Sequence, residues 1–407
     1  MINYVLFDGP EVRPHLLPLV FTRPMAELRI GIRTITEKWT DWLGVQPTHY
    51  TQSYLQEKYP YKKGSDTIYI HGGLCPSERL IRSLEELEPG EALLQGPILL
   101  AVRGKHLPLE SLIHDNPAFH KQYYWDKVTV VQRLPDLVAY NGEQIAADFE
   151  RITEGRTSQP ITDRFTAYYN ESKIFIEEGV ELRSAILNAE NGPIYLGKDV
   201  QVQDGVIIQG PFAALEGAVI NLGGKMRKST TIGPHCKVGG EISMSILMGY
   251  SNKGHDGFLG NSYLAEWCNL GANTNNSNLK NDYGNVKLYD YTTKQLEDTG
   301  RQFVGLFMGD YSKAGISTMF NTGTVVGVNV NVFGAGFPPK HIPSFSWGGA
   351  DTGFEPYRFT KAVDVARNTM DRRGKLFTEI EEDIWRTIFA LEQTVSIHYT
   401  DDDESDR

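Results

Sequence analysis

Apolar residues in the middle of this chain recur every six positions. Stepping by six from Leu196 meets Val202, Ile208, Ala214, Ile220, Met226, Ile232, Val238 and Met244. An α-helix repeats at 3.6 residues and a flat strand at two, so neither produces this run. A parallel β-helix of triangular section does: each short strand turns one aliphatic side chain inward, and three hexads close one coil. Gly197, Gly205, Gly217, Gly233 and Gly239 suit the tight corners. The phase slips by two near residue 250, resumes as Phe258, Leu264 and Leu270, and returns as Ala314, Phe320, Val326 and Val332. The polar, aperiodic stretch 278–302 reads as a loop thrown out from the coils, of the kind that often serves binding.

The flanks follow other periods. Tyr-Val-Leu-Phe at 4–7, the run 67–72 and the run 97–104 read as buried strands. The stretch 77–87 has helical spacing with Ser77 as its cap. Alternating strands and helices predict an α/β layer fold. Residues 359–374 and 379–393 read as helices that cap the open end of the coil, and the last residues, DDDESDR, as a disordered acidic tail. The expected organisation is an α/β domain over 1–165, a β-helix over 166–350 and C-terminal helices with the tail over 351–407.

The formal net charge of -11 argues against a nucleic-acid partner, which would need a basic face. The start of the chain has no charged n-region followed by an apolar run, and no stretch is long enough to cross a membrane. Cys75, Cys236 and Cys268 fit no metal motif, so reduced thiols in cytoplasm are the simplest expectation. A three-histidine metal site does not fit either, with only His235 and His255 in the regular part.

The chemistry concentrates in 253–279. His255 sits where the hexad phase breaks, and Asn269, Asn273, Asn275, Asn276 and Asn278 follow. A lone histidine is often structural, and asparagines suit left-handed β-helix turns. The spacing, however, resembles the acetyltransferase half of the bifunctional N-acetylglucosamine-1-phosphate uridyltransferase/glucosamine-1-phosphate acetyltransferase family. Gly254-His255 stands for that family's Gly-His pair, and Phe258-Leu259-Gly260 for its Tyr-Leu-Gly. Asn269-Leu270-Gly271-Ala272-Asn273-Thr274 stands for its Asn-Ile-Gly-Ala-Gly-Thr, and Asn278 for its sugar-contacting Asn.

The resemblance implies a left-handed β-helix, a homotrimer, and His255 as the base that takes the proton of an attacking amine. It implies Asn269 as a substrate or oxyanion contact and Glu241 as a sugar-binding acid. Arg227, with Lys228 beside it, would hold the sugar phosphate. Acetyl-CoA would run past Ala272, Ser317 and Ala335, with Lys340 near its phosphates. The other readings are a solvent-facing corner for Glu241 and a solvated charged turn for Arg227 and Lys228. Ser243, Phe258 and Leu279 depart from a lysine and two tyrosines of the family.

The first 165 residues resemble the sugar-nucleotide transferase half more loosely. Gly9 and Arg13 stand in the phosphate-loop position, the lysine of a Pro-Lys pair is Met25, and Arg23 or Arg29 would replace it. Gly72-Gly73 stands where the family has a magnesium-holding Gly-Asp, so the metal ligands stay open. The implied activity is UDP-N-acetylglucosamine synthesis. Acetyl transfer from acetyl-CoA to glucosamine-1-phosphate would precede uridylyl transfer from UTP with magnesium. The alternatives are an acetyltransferase alone, or a nonenzymatic trimeric scaffold with a degenerate first domain.

Overall fold

The computed structural model describes residues 2–393, so the acidic tail lies outside the described residues. The N-terminal domain holds a six-stranded sheet. Strand Asn3–Phe7 pairs in parallel with Thr48–Tyr50 and Thr67–His71, and the sheet continues antiparallel through Ile98–Gly104. Four α-helices accompany it: α1 (Ile35–Leu43), α2 (Glu78–Glu85), α3 (Leu134–Ala139) and α4 (Asn141–Thr153). Ser77 caps α2, its hydroxyl accepting from Leu80 N–H. Thr34 caps α1 in a full capping box with Glu37.

From Ala167 the chain winds into coils whose strands stack as three parallel sheets. Face I begins at Ile174–Ile176, face II at Glu181–Leu182 and face III at Ala167–Tyr169. The hexad maps onto this prism directly. Leu196, Ala214 and Ile232 point inward from face I, Val202, Ile220 and Val238 from face II, and Ile208 and Met226 from face III. The coils then shorten: Lys225 pairs with Glu241 and Lys237 with Asn252. Ile242, not Met244, therefore takes the next inward place, and Leu259, not Phe258, the one after. Met244 instead sits in a left-handed corner at φ +47°. The slip falls earlier than the sequence predicts because the shortening is spread over two faces.

Face I is buried on both surfaces, and the N-terminal domain lies against its outer side. Ile145 and Phe149 of α4 pack on Phe175, Tyr195, Ala213 and Leu215. Farther along, Met248, Tyr263, Ala265 and Phe307 join the core of the N-terminal domain. Buried polar ties fix the register. Arg23 donates to both carboxylate oxygens of Asp310 at 2.9 Å and to Glu266 at 3.2 Å. Thr231 Oγ1 donates to Gly31 O at 2.9 Å, and Asn141 Nδ2 to Ser229 O at 3.0 Å.

The excursion after Asn278 contains a β-hairpin, Lys287–Asp290 with Gln295–Asp298. It clasps the N-terminal domain instead of standing free. His15 pairs with Asp290 at 2.5 Å, Arg301 with Asp136 at 2.9 Å, and Tyr289 stacks on His341.

Helices α5 (Phe359–Asp371) and α6 (Glu379–Gln393) form where predicted but do not close the open end. They lie along the I–II edge, against Trp267, Tyr311 and Phe345. That edge carries a column of rings in left-handed corners: His235, Tyr250, Trp267 and Tyr311, with Tyr250 stacked on Trp267 at 4.4 Å. Bulky side chains rarely adopt positive φ, and the ring stacking and the helices above it offset that cost. The last coil ends in a hairpin, Ser346–Gly349 with Gly353–Pro356, whose Phe354 packs on the coil core.

Arg23, Asp310 and the inner part of Glu266 form a buried charge cluster. Removing one member of such a pair leaves the other uncompensated, which costs about 3–5 kcal/mol. Arg23→Met is therefore expected to lower denaturant stability by about that amount, read from the unfolding midpoint at unchanged slope; a midpoint shift corresponding to under about 1 kcal/mol would contradict the cluster's role.

Candidate functional site

Outward side chains on face III come from adjoining strands. Lys225, Glu241 and Phe258 form one row, and Arg227, Ser243 and Gly260 the neighbouring one. Arg227 Nη1 donates to Glu241 Oε1 at 3.0 Å, both partly exposed. Lys228 follows, exposed, at the turn toward face I. An exposed pair of this kind contributes little stability, so an incoming anion can take Arg227 from it cheaply.

His255 occupies the turn from face II to face III, exposed, one coil after the Gly239-Gly240 corner. The same edge carries Ala272 in the next coil, then Ser317, then Ala335. Ser317 N–H donates to Ala272 O at 2.8 Å, and Asn273 N–H to Asp256 O at 3.0 Å. The positions expected for acetyl-CoA therefore form a line along the edge that starts at His255. Ile316 and Phe337, both exposed, give this edge an apolar lining. Asn269 is exposed on face II, on a rung with Asn252 and Lys313. It stands around the corner from Glu241 and Arg227 but within one coil of His255.

Asn278 lies at the far side of face III, where Nδ2 donates to Asn261 Oδ1 at 2.7 Å. Asn261 in turn lines a cavity of about 640 Å³ between α3, the clasping excursion and the coil. Met244, Arg301 and Phe303 form other parts of its wall. Asn261 and this cavity escaped the sequence reading, because a left-handed asparagine at φ +49° looks like any other corner.

Lys340 does not join the line. It stands at the start of the face I strand His341–Ile342, 5% exposed and already engaged. The coenzyme-phosphate role expected of it therefore lacks an exposed ammonium on the II–III edge.

The N-terminal residues meet at the ends of strands Asn3–Phe7 and Thr67–His71, where open α/β sheets commonly bind ligands. Here the place is filled. Asp8 accepts from Arg13 at 2.5 Å, from Met25 N–H at 2.8 Å and from Thr51. Arg13 spends its remaining donors on Val20 O, Arg23 O and Tyr54. Arg23 is held by Asp310, and Arg29 by Ile32 O at 2.6 Å and Met248 O at 3.3 Å. The three arginines expected to meet phosphate are thus buried ties, two of them reaching into the β-helix.

Gly9 packs on His71: a Cβ added there would lie 3.0 Å from the ring's Nε2. His71 is buried, with Nε2 unpartnered and its pKa pushed down to about 4 by desolvation. For magnesium the fit is poor. Asp8 is fully engaged, Gly72-Gly73 brings no carboxylate, and among the described residues no three or more His, Cys, Asp or Glu gather to hold a metal ion. The cysteines are all free and buried, and burial pushes the Cys75 and Cys236 thiols up to about 12.

Comparison with known proteins gives this arrangement its setting. Residues 4–157 match the family model described as sugar nucleotidyl transferase. The bifunctional protein GlmU of Methanocaldococcus jannaschii is 36% identical over 89 residues, 22% of this chain and 21% of that one. A bifunctional sugar-1-phosphate nucleotidylyltransferase/acetyltransferase of Sulfurisphaera tokodaii is 28% identical over 144 residues, 35% of each chain. The bifunctional protein GlmU of Synechococcus elongatus is 24% identical over 254 residues, 54% of this chain and 50% of that one. The matched stretches thus span half or less of these relatives' lengths. A stretch similar to sugar nucleotidyl transferases is thus followed in this chain by a parallel β-helix, and the relatives it matches in part are named as bifunctional proteins.

Proposed function

We propose that the protein transfers an acetyl group from acetyl-CoA to the amine of an amino-sugar phosphate, with glucosamine-1-phosphate as the acceptor to try first. The observation that carries this reading is the junction of two lines at His255. One is the polar face bearing Arg227 and Glu241, and the other is the edge bearing Ala272, Ser317 and Ala335.

In this reading the sugar lies on face III with its phosphate on Arg227 and Lys228, and Glu241 holds a sugar hydroxyl. Arg227 exchanges one carboxylate partner for a doubly bonded phosphate. Asn278 meets the far side of the sugar. The thioester lies along the II–III edge, with its acetyl group beside His255. Neutral imidazole takes the proton from the amine as nitrogen attacks the carbonyl carbon. The carbonyl becomes an oxyanion, which Asn269 is suited to meet with its amide N–H, and its collapse expels the coenzyme thiolate. A trimer would place a second copy against this open edge. The polar acceptor face and the acetyltransferase half of the Sulfurisphaera relative's name support the reading.

Uridylyl transfer from UTP is the second reading, and the family match over residues 4–157 favours it. The buried arginines and the missing carboxylate at Gly72-Gly73 weigh against it, so acetyl transfer is the activity the geometry supports better.

Two measurements separate these readings. Thiol release from acetyl-CoA should depend on glucosamine-1-phosphate, and His255→Ala should lower kcat by about 10²–10⁴ with stability changed by under about 0.5 kcal/mol. An unchanged rate in the variant would remove His255 from the chemistry. Pyrophosphate release from UTP, with magnesium and N-acetylglucosamine-1-phosphate, is expected to be absent; release at a rate matching acetyl transfer would establish the second activity.

A further inference from the structure

The inward column of face II runs Leu182, Val202, Ile220, Val238, Lys253, Leu270, Ala314 and Val332. Every member but one is aliphatic. Lys253 is 0% exposed, inside the coil, two residues before His255. A buried ammonium costs several kcal/mol, on the order of the whole stability margin, unless it is well hydrogen-bonded. Among the described residues it makes no ion pair with a carboxylate. Its partners are two main-chain carbonyls, His255 O and Asp256 O, the latter at 2.9 Å.

The reason lies in the shortened coil. In the turn Gly254–Gly257, Gly254 O accepts from Asn221 Nδ2, Gly257 O from Glu241 N–H and Asp256 O from Asn273 N–H as well as Lys253, while His255 O takes its bond from Lys253 alone among the described residues. Lys253 supplies the donors from within the core. Gly257 closes the arrangement from the other side, at φ +120°. A Cβ there would lie 2.2 Å from Thr274 O and 3.2 Å from the Lys253 ammonium. With both carbonyls drawn inward, the His255 side chain is turned out at the II–III edge. Burial pushes the Lys253 pKa down to about 8, against the opposing pull of Asp256.

We propose that Lys253 is the positioning residue of the acyl-transfer site, holding the His255 turn from inside the coil so that the imidazole stands over the acceptor face. It touches neither substrate nor reacting atoms. The inference rests on His255 being the base.

Lys253→Met keeps the stem and deletes the donors. In the full chain, amide exchange across 254–258 should accelerate about tenfold or more, with the coils at 194–220 unchanged, since only the local opening is eased. Acetyl-transfer kcat should fall about 10–100-fold, because a base displaced by about 1 Å loses that much. KM for acetyl-CoA should stay within about twofold, which a general loss of structure would not allow.

If Lys253→Met does not fold, Lys253→Gln keeps a donor on a shorter stem and should give the same split of kcat from KM in smaller measure. Unchanged exchange, or faster exchange with full kcat, would overturn the proposal while leaving His255 in place. Full activity in His255→Ala would overturn both, so the two failures are told apart by that single variant.

Discussion

The structure depends on one face of its β-helix being buried twice. Face I turns Leu196, Ala214, Ile232, Leu247 and Leu264 into the coil, and Tyr195, Ala213, Thr231, Met248 and Tyr263 toward the N-terminal domain. Strands buried on both sides read as continuous apolar runs, as Ile246–Gly249 and Leu306–Met308 do. Faces II and III keep solvent on their outer sides and alternate. Docking therefore decides where small molecules can reach the coil. With face I covered and the I–II edge under α5 and α6, faces II and III and the edge between them are what remains open. The residues proposed for acyl transfer lie there.

The same docking accounts for the arginines of the N-terminal domain. A buried guanidinium needs a carboxylate or several carbonyls. Arg23 finds Asp310 and Glu266 across the interface, and Arg29 finds Met248 O. An arginine so placed resembles a phosphate ligand in sequence, because both sit near glycine and proline turns. The difference is a partner almost three hundred residues away in the chain, which no local pattern reveals.

What was legible followed from repetition. From Leu196 to Val238 each inward place is aliphatic and each coil equally long, so a fixed step finds the core. The step fails once coils shorten: it points to Met244 and Phe258, where Ile242 and Leu259 turn inward. Lys253 was hidden for the same reason: an inward lysine breaks the apolar pattern at the point where the register is lost. His255, Arg227 and Glu241 can be proposed from the sequence because the resemblance rests on spaced polar residues, and such spacing survives a change of coil length. The clasp after Asn278 was seen as an excursion, but its pairing with His15 and Asp136 depends on the docked domain.

The ring column on the I–II edge has an optical consequence. Light absorbed by Tyr311 is shared with Trp385 at 4.8 Å, whereas light absorbed by Tyr250, stacked at 4.4 Å, passes to Trp267. That indole is fixed to the coil between the one carrying His255 and the one carrying Ser317. Among the chain's six tryptophans its emission is one contribution, and it reports on the edge of the prism across face II from the one proposed for acyl transfer.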